Sequence, residues 1–176
     1  MRDHLKSYRV GQEIMQATRN MMHEDRKHRE ALLEEGFAKN ALDTIKTEMH
    51  ERGTPTIGST NLAMLAHKNQ TMQDTLASMG AIETIMEAMV RYSAINTQGY
   101  GGVTVSEVWP LLPSTTQAMW CITRDNLNTQ SRMVAAGAVP LFIGLIRSYA
   151  HDTRILGYAC ASLGTAVHAN ASVLAV

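Results

Sequence analysis

The stretch Met133-Val134-Ala135-Ala136-Gly137-Ala138-Val139-Pro140-Leu141 decides how this chain is read. An apolar helical turn runs into a glycine, and small and apolar residues then open a second helix. The same order occurs earlier as Leu76-Ala77-Ser78-Met79-Gly80-Ala81-Ile82. It occurs more loosely as Leu32-Leu33-Glu34-Glu35-Gly36-Phe37-Ala38. Glycine suits the end of a helix because it enters the left-handed backbone region without steric cost. The intervals are 44 residues from Gly36 to Gly80 and 57 from Gly80 to Gly137. Self-similarity on this scale is the mark of a helical solenoid.

Superposing the three glycines brings other apolar positions into line. Leu32, Leu76 and Met133 coincide, as do Ala41, Ile85 and Phe142. Ile45, Met89 and Ile146 form a third set, and Met21, Leu65 and Ile122 a fourth. Between them the apolar residues recur at helical spacing. One or two helices are expected from Gly11 to Gly36, with a stripe through Ile14, Met15, Thr18, Met21 and Met22. Another is expected from about Ala38 to Glu51. Gly53-Thr54-Pro55 reads as the punctuation that ends this unit, and Leu62 to Ala66 as a short helix opening the next. The extra length of the second interval falls between Ser93 and Ser114. It holds Gly99-Tyr100-Gly101-Gly102, which cannot continue a helix, and Pro110 and Pro113. This segment reads as an insertion over 94–113, with Ser114 and Gln117 as a capping box for the helix that follows. The expected organisation is one domain with units at about 10–53, 54–93, 114–150 and 153–176. The expected fold is all-α, a short right-handed α-solenoid of three to four repeats.

Composition narrows the partner. The 16 basic and 16 acidic residues cancel, which argues against nucleic acid as the main ligand, since phosphate binding needs a basic face. Apolar residues make up 45% of the 176 positions, enough for a core. Twelve methionines against two phenylalanines point to a core filled by flexible side chains at helix contacts. Cys121 and Cys160 form neither a disulfide framework nor a CxxC motif, and both read as small core residues. The charged start lacks the apolar segment of a secretory signal. No apolar run reaches the ~18 residues that span a bilayer. The expected location is a reducing compartment, cytoplasmic with the nucleus open, and no membrane partner is expected.

The glycine motif resembles the armadillo repeat. Ala135-Ala136-Gly137-Ala138-Val139-Pro140-Leu141 matches that family's Gly-Ala-apolar-Pro-Leu turn best, Met79-Gly80-Ala81-Ile82 well and Glu35-Gly36-Phe37-Ala38 loosely. Tyr158-Ala159-Cys160-Ala161-Ser162-Leu163-Gly164 looks like an alanine-rich helix of a further unit. The resemblance covers about residues 10 to 170. It implies a non-catalytic protein–protein interaction scaffold, such as a structural subunit of a ciliary or cytoskeletal complex. Transport adaptors of the nuclear-import type, or an enzyme's regulatory subunit, are the alternatives. Import adaptors of this family clamp basic peptides with a Trp-x-x-x-Asn ladder. The positions that align with it here are Arg19 and His23, Ala63 and His67, Trp120 and Arg124, and Ala161 and Thr165. One Trp is present and no Asn. Basic or potentially basic groups at His23, His67 and Arg124 would repel a basic peptide, so an acidic or neutral peptide or surface is the expected partner.

Trp120 beside Arg124 has the composition of an interface hot spot, although Trp120 could equally fill space between repeats. Tyr100 and Trp109 are the large aromatic residues of the insertion, which either folds back on the solenoid or meets a partner. The mixed run Asp25-Arg26-Lys27-His28-Arg29-Glu30 reads as a solvated face. The histidines show no zinc-ligand spacing. The glycine loop lacks the ending of a phosphate loop, and no nucleophile or acid–base pair stands out. Neither enzymatic activity nor a cofactor is therefore expected. The end of the chain, Ala171-Ser172-Val173-Leu174-Ala175-Val176, is apolar, so either the chain is part of a longer solenoid or another protein covers its open end, and residence in a larger assembly is the expectation.

Overall fold

In the computed structural model, residues 26–47, 54–98 and 111–169 are described, together with the isolated helical positions Glu13, Ala17, Thr18 and Met22. The fold is all-α: the described residues form nine helices and no strand. They are α1 (Arg26–Glu34), α2 (Phe37–Thr47), α3 (Thr54–Ala66), α4 (Gln70–Ser78), α5 (Ala81–Gln98), α6 (Leu111–Thr123), α7 (Leu127–Ala135), α8 (Ala138–Ser148) and α9 (Thr153–Ala169).

The three glycines share one conformation. Gly36, Gly80 and Gly137 have φ of 75°, 85° and 85°, in the left-handed region that side chains disfavour. Each joins a nine-residue helix (α1, α4 or α7) to the next. A second turn also recurs. Lys68 and Asp125, 57 residues apart, both have positive φ (52° and 56°). The asparagine that follows each one caps a helix. Asn69 accepts a hydrogen bond from the Met72 N–H, and Asn126 accepts from those of Asn128 and Thr129. Asparagine serves here because its short side chain satisfies N–H groups that the first helical turn leaves without partners. Asp152 caps α9 in the same way, accepting from the N–H groups of Arg154 and Ile155.

Two boundaries depart from expectation. Thr54 and Pro55 do not end a unit; they open α3, a helix of 13 residues where a short one from Leu62 was expected. At the other end of α5, helix continues to Gln98, and α6 starts at Leu111. The expected insertion over 94–113 is therefore trimmed on both sides, and 99–110 lie outside the described residues. Ser114 and Gln117 fall inside α6 rather than capping it. The physical reason is common to both helices. Pro55 and Pro113 sit in first turns, where the N–H that proline lacks would have no acceptor within the helix.

Helix α6 packs along both α3 and α9, while α2, α5 and α8 pack against α3, α6 and α9 respectively. Gly58 lets α3 approach α2, because a Cβ there would lie 2.8 Å from the Ala41 carbonyl oxygen and from Ile45 Cγ1. The central α6 buries Thr115, Thr116 and Thr123, whose hydroxyls donate to carbonyls four residues back. This local bonding lets a threonine-bearing helix lie in the interior. Most members of the aligned sets are buried, while Leu32 and Ile146 are only partly so and Met21 lies outside the described residues. Ala41, Ile85 and Phe142 are all core, as are Leu65 and Ile122, Leu76 and Met133, and Ile45 and Met89. Each such large side chain contributes about 1.5–3 kcal/mol.

Tyr92 is fully buried on α5, and its hydroxyl finds no partner among the described residues. Burial pushes its phenol far above the ordinary value. Replacing it with phenylalanine removes an unsatisfied polar atom and keeps the ring. Tyr92→Phe is expected to leave stability unchanged or raise it by up to about 1 kcal/mol in urea unfolding. A loss of more than about 1 kcal/mol would mean that the hydroxyl is satisfied.

A further repetition lies in the hydrogen bonds. Seven residues before each glycine stands a long side chain with N–H donors: Arg29, Gln73 and Gln130. Arg29 Nε donates to the Met22 carbonyl at 2.9 Å, and Gln130 Nε2 to the Thr123 carbonyl at 2.9 Å. Both acceptors stand fourteen residues before the respective glycine. Arg29 Nη1 also reaches the His67 carbonyl at 2.9 Å, and Gln73 Nε2 the Arg124 carbonyl at 3.0 Å. His67 and Arg124 each stand thirteen residues before the next glycine. The same position thus ties one glycine's surroundings to the helix end that precedes the next.

Candidate partner-binding site

Trp120 lies in the last turn of α6, and Arg124 lies in the turn just beyond it. The Arg124 N–H donates to the Trp120 carbonyl at 2.8 Å, carrying the helical path one residue further. The guanidinium then lies over the indole, 4.9 Å from the ring centroid. Its Nε also meets Asp125 Oδ2 at 3.0 Å, an exposed pair that adds orientation more than stability. From α9, Tyr158 approaches the other aromatic ring at a centroid distance of 5.7 Å, tilted by 43°. Trp120 packs against the core yet remains partly exposed. It thus fills space between helices and keeps part of its surface exposed.

The turn after α6 is held from α4. Gln70 Nε2 donates to the Asp125 carbonyl at 2.6 Å, and Gln73 Nε2 to the Cys121 and Arg124 carbonyls at 2.8 and 3.0 Å. Asp74 Oδ1 accepts from Asn126 Nδ2 at 3.1 Å and Asn128 Nδ2 at 2.9 Å. One helix thus fixes the place where Arg124 leaves the core. Beside this bridge, between the turn at 67–69 and the turn at 124–125, opens a cleft of about 580 Å³. His67, Lys68, Arg124 and Arg29 line it, with Asp125 as its acid.

The structure therefore brings His67 and Arg124, two of the residues expected from sequence, to one cleft, and places Trp120 against Arg124. His23, Tyr100 and Trp109 lie outside the described residues. Tyr158 and the cleft residues Arg29 and Gln73 were missed. The alignment on the glycines already placed Arg29 and Gln73 at one position, and both are long N–H donors. Tyr158 carried no such signal, because its partner is on another helix.

Cys121 is buried in α6, and burial pushes its thiol up to about 11, against a smaller opposing effect from Arg124. Cys160 on α9 is exposed. Since the thiolate is the reactive form, a thiol reagent is expected to modify Cys160 quickly and Cys121 only on unfolding. Two fast thiols in the native protein would contradict this packing. Among the described residues, no three His, Cys, Asp or Glu side chains gather as metal ligands would.

Compared with protein-family models, curated proteins and solved structures, the chain matches none.

Proposed function

We propose that this chain is a non-catalytic protein-interaction scaffold, built as a short right-handed armadillo-like solenoid. Grouped by the recurring turns, its units are α1–α3, α4–α6 and α7–α9. The third helices α3, α6 and α9 form a row, and the recurring donors at Arg29 and Gln73 tie the first helix of a unit to the end of its third. A structural subunit of a larger assembly, of which a ciliary or cytoskeletal complex is an example, is the setting that suits it.

The observation that carries this reading is the partly exposed Trp120–Arg124 pair on the middle helix of that row, beside Tyr158. Aromatic and arginine side chains that are anchored by packing and still offer a face are the usual centre of a protein interface. The last described helix exposes a face that its counterpart in the row buries. On α9, Gly157, Cys160, Gly164 and Val167 are exposed, whereas Thr116, Met119 and Thr123 of α6 are buried.

The test is capture of partners from native extract on the immobilised chain, repeated with Trp120→Ala and Arg124→Ala. The same proteins are expected to be lost with both variants. An unchanged set would reject the site. A monomer that binds basic peptides would reject the assembly reading.

A further inference from the structure

We propose that the cleft between the turns at 67–69 and 124–125 binds an acidic peptide segment, its carboxylate held by Arg29 and Lys68 and its main-chain N–H by Gln73. This rests on the interaction-scaffold reading and names the chemistry of the partner.

Charge points to the carboxylate. Among the described residues, Arg29, Lys68 and Arg124 line the cleft against one acid, Asp125, and Asp125 already meets Arg124 at 3.0 Å. Lys68 makes no hydrogen bond or ion pair within the described structure. Its left-handed backbone (φ 52°) in the tight turn fixes where its side chain begins. Arg29 is anchored through Nε and Nη1 on the Met22 and His67 carbonyls, which leaves Nη2 as a donor. An anchored guanidinium with a spare N–H binds a carboxylate with little further loss of freedom.

Gln73 separates a peptide from a simple anion. It is 1% exposed and lines the cleft. Its amide nitrogen is committed to the Cys121 and Arg124 carbonyls, so its orientation is fixed. Its Oε1 has no donor among the described residues. A buried acceptor without a donor is costly. A carboxylate or phosphate has no N–H to offer it, whereas a peptide brings an N–H and a carboxylate together. A segment leaving the cleft past Arg124 would meet the Trp120 face next, so an apolar residue near the acidic one completes the expected motif.

The test measures fluorescence anisotropy with labelled peptides that hold Asp or Glu beside Leu or Phe, each paired with its Asn or Gln counterpart. The acidic peptides are expected to bind more tightly and to weaken with salt. Lys68→Asn removes the charge and keeps a residue that tolerates left-handed backbone. It is expected to weaken acidic-peptide binding roughly tenfold, the scale of one charge-assisted contact. Arg29→Gln, which puts at that position the residue type found at Gln73 and Gln130, should weaken it too by removing a charge from the cleft, with circular dichroism confirming the fold. Equal binding of acidic and amide peptides, preference for basic peptides, or no effect of Lys68→Asn would overturn the inference. If extract partners still depend on Trp120 while Lys68→Asn changes nothing, the cleft fails and the scaffold stands. If Trp120→Ala also changes nothing, the scaffold reading fails with it.

Discussion

Gly58→Val is expected to destabilise the protein by about 3 kcal/mol, the upper end of the cost of forcing extra atoms into a packed site. A Cβ at this position would sit 2.8 Å from the Ala41 carbonyl oxygen. That oxygen belongs to the backbone of α2 and moves only if the helix moves. Ile45, at the same distance, is itself fully buried. The sign is informative because glycine is a poor helix former. Replacing it inside a helix ordinarily stabilises by about 0.5–1 kcal/mol. Gly144 in α8 is the matched control: nothing lies within 4 Å of its built Cβ. Gly144→Ala is expected to gain roughly that ordinary increment. Urea unfolding of the two variants checks both signs. Similar gains at both positions would mean that α3 does not press on α2.

Gln73→Leu is expected to cost about 2–3 kcal/mol, because the carbonyls of Cys121 and Arg124 lose their donor and burial of an unpaired polar group costs about 1–3 kcal/mol. Leucine restores most of the volume, so the loss reports on hydrogen bonds rather than a cavity. Gln130→Leu at the equivalent position should cost less, about 1 kcal/mol, since Gln130 donates only to the Thr123 carbonyl. The Gln73 bonds join the first helix of a unit to the end of its third. The bond that crosses from one unit to the next is that of Gln130, from α7 to the end of α6, so Gln130→Leu should broaden the unfolding transition, as expected when coupling between neighbouring repeats weakens. Equal costs at the two positions, or unchanged cooperativity in Gln130→Leu, would contradict this account of the bonds.

The features legible in the sequence were those set by local chemistry. Left-handed backbone at the end of a helix calls for glycine, so Gly36, Gly80 and Gly137 announced their turns. The apolar registers around them announced which faces are core. Misreading began where a residue type has two uses. Pro55 and Pro113 break a helix in its interior but are tolerated in its first turn. The pair of Trp120 and Arg124 was visible because the armadillo resemblance aligned it with that family's Trp-x-x-x-Asn ladder. Tyr158 and the cleft depend on which helices meet, and that was not written at any one spacing. Lys68 and Asp125 were hidden for another reason, because neither residue type by itself signals positive φ as glycine does.

The central claim is that α3, α6 and α9 stand in a row, as in a solenoid, rather than closing into a bundle. Thr60, Gln117 and Tyr158 occupy equivalent half-buried positions on these helices. Pairwise distances between spin labels at these sites, with Cys121 and Cys160 replaced, test the claim most directly. The row predicts that the Thr60–Tyr158 separation exceeds either neighbouring separation by about 8–10 Å, one further helix spacing. Three equal separations would contradict it.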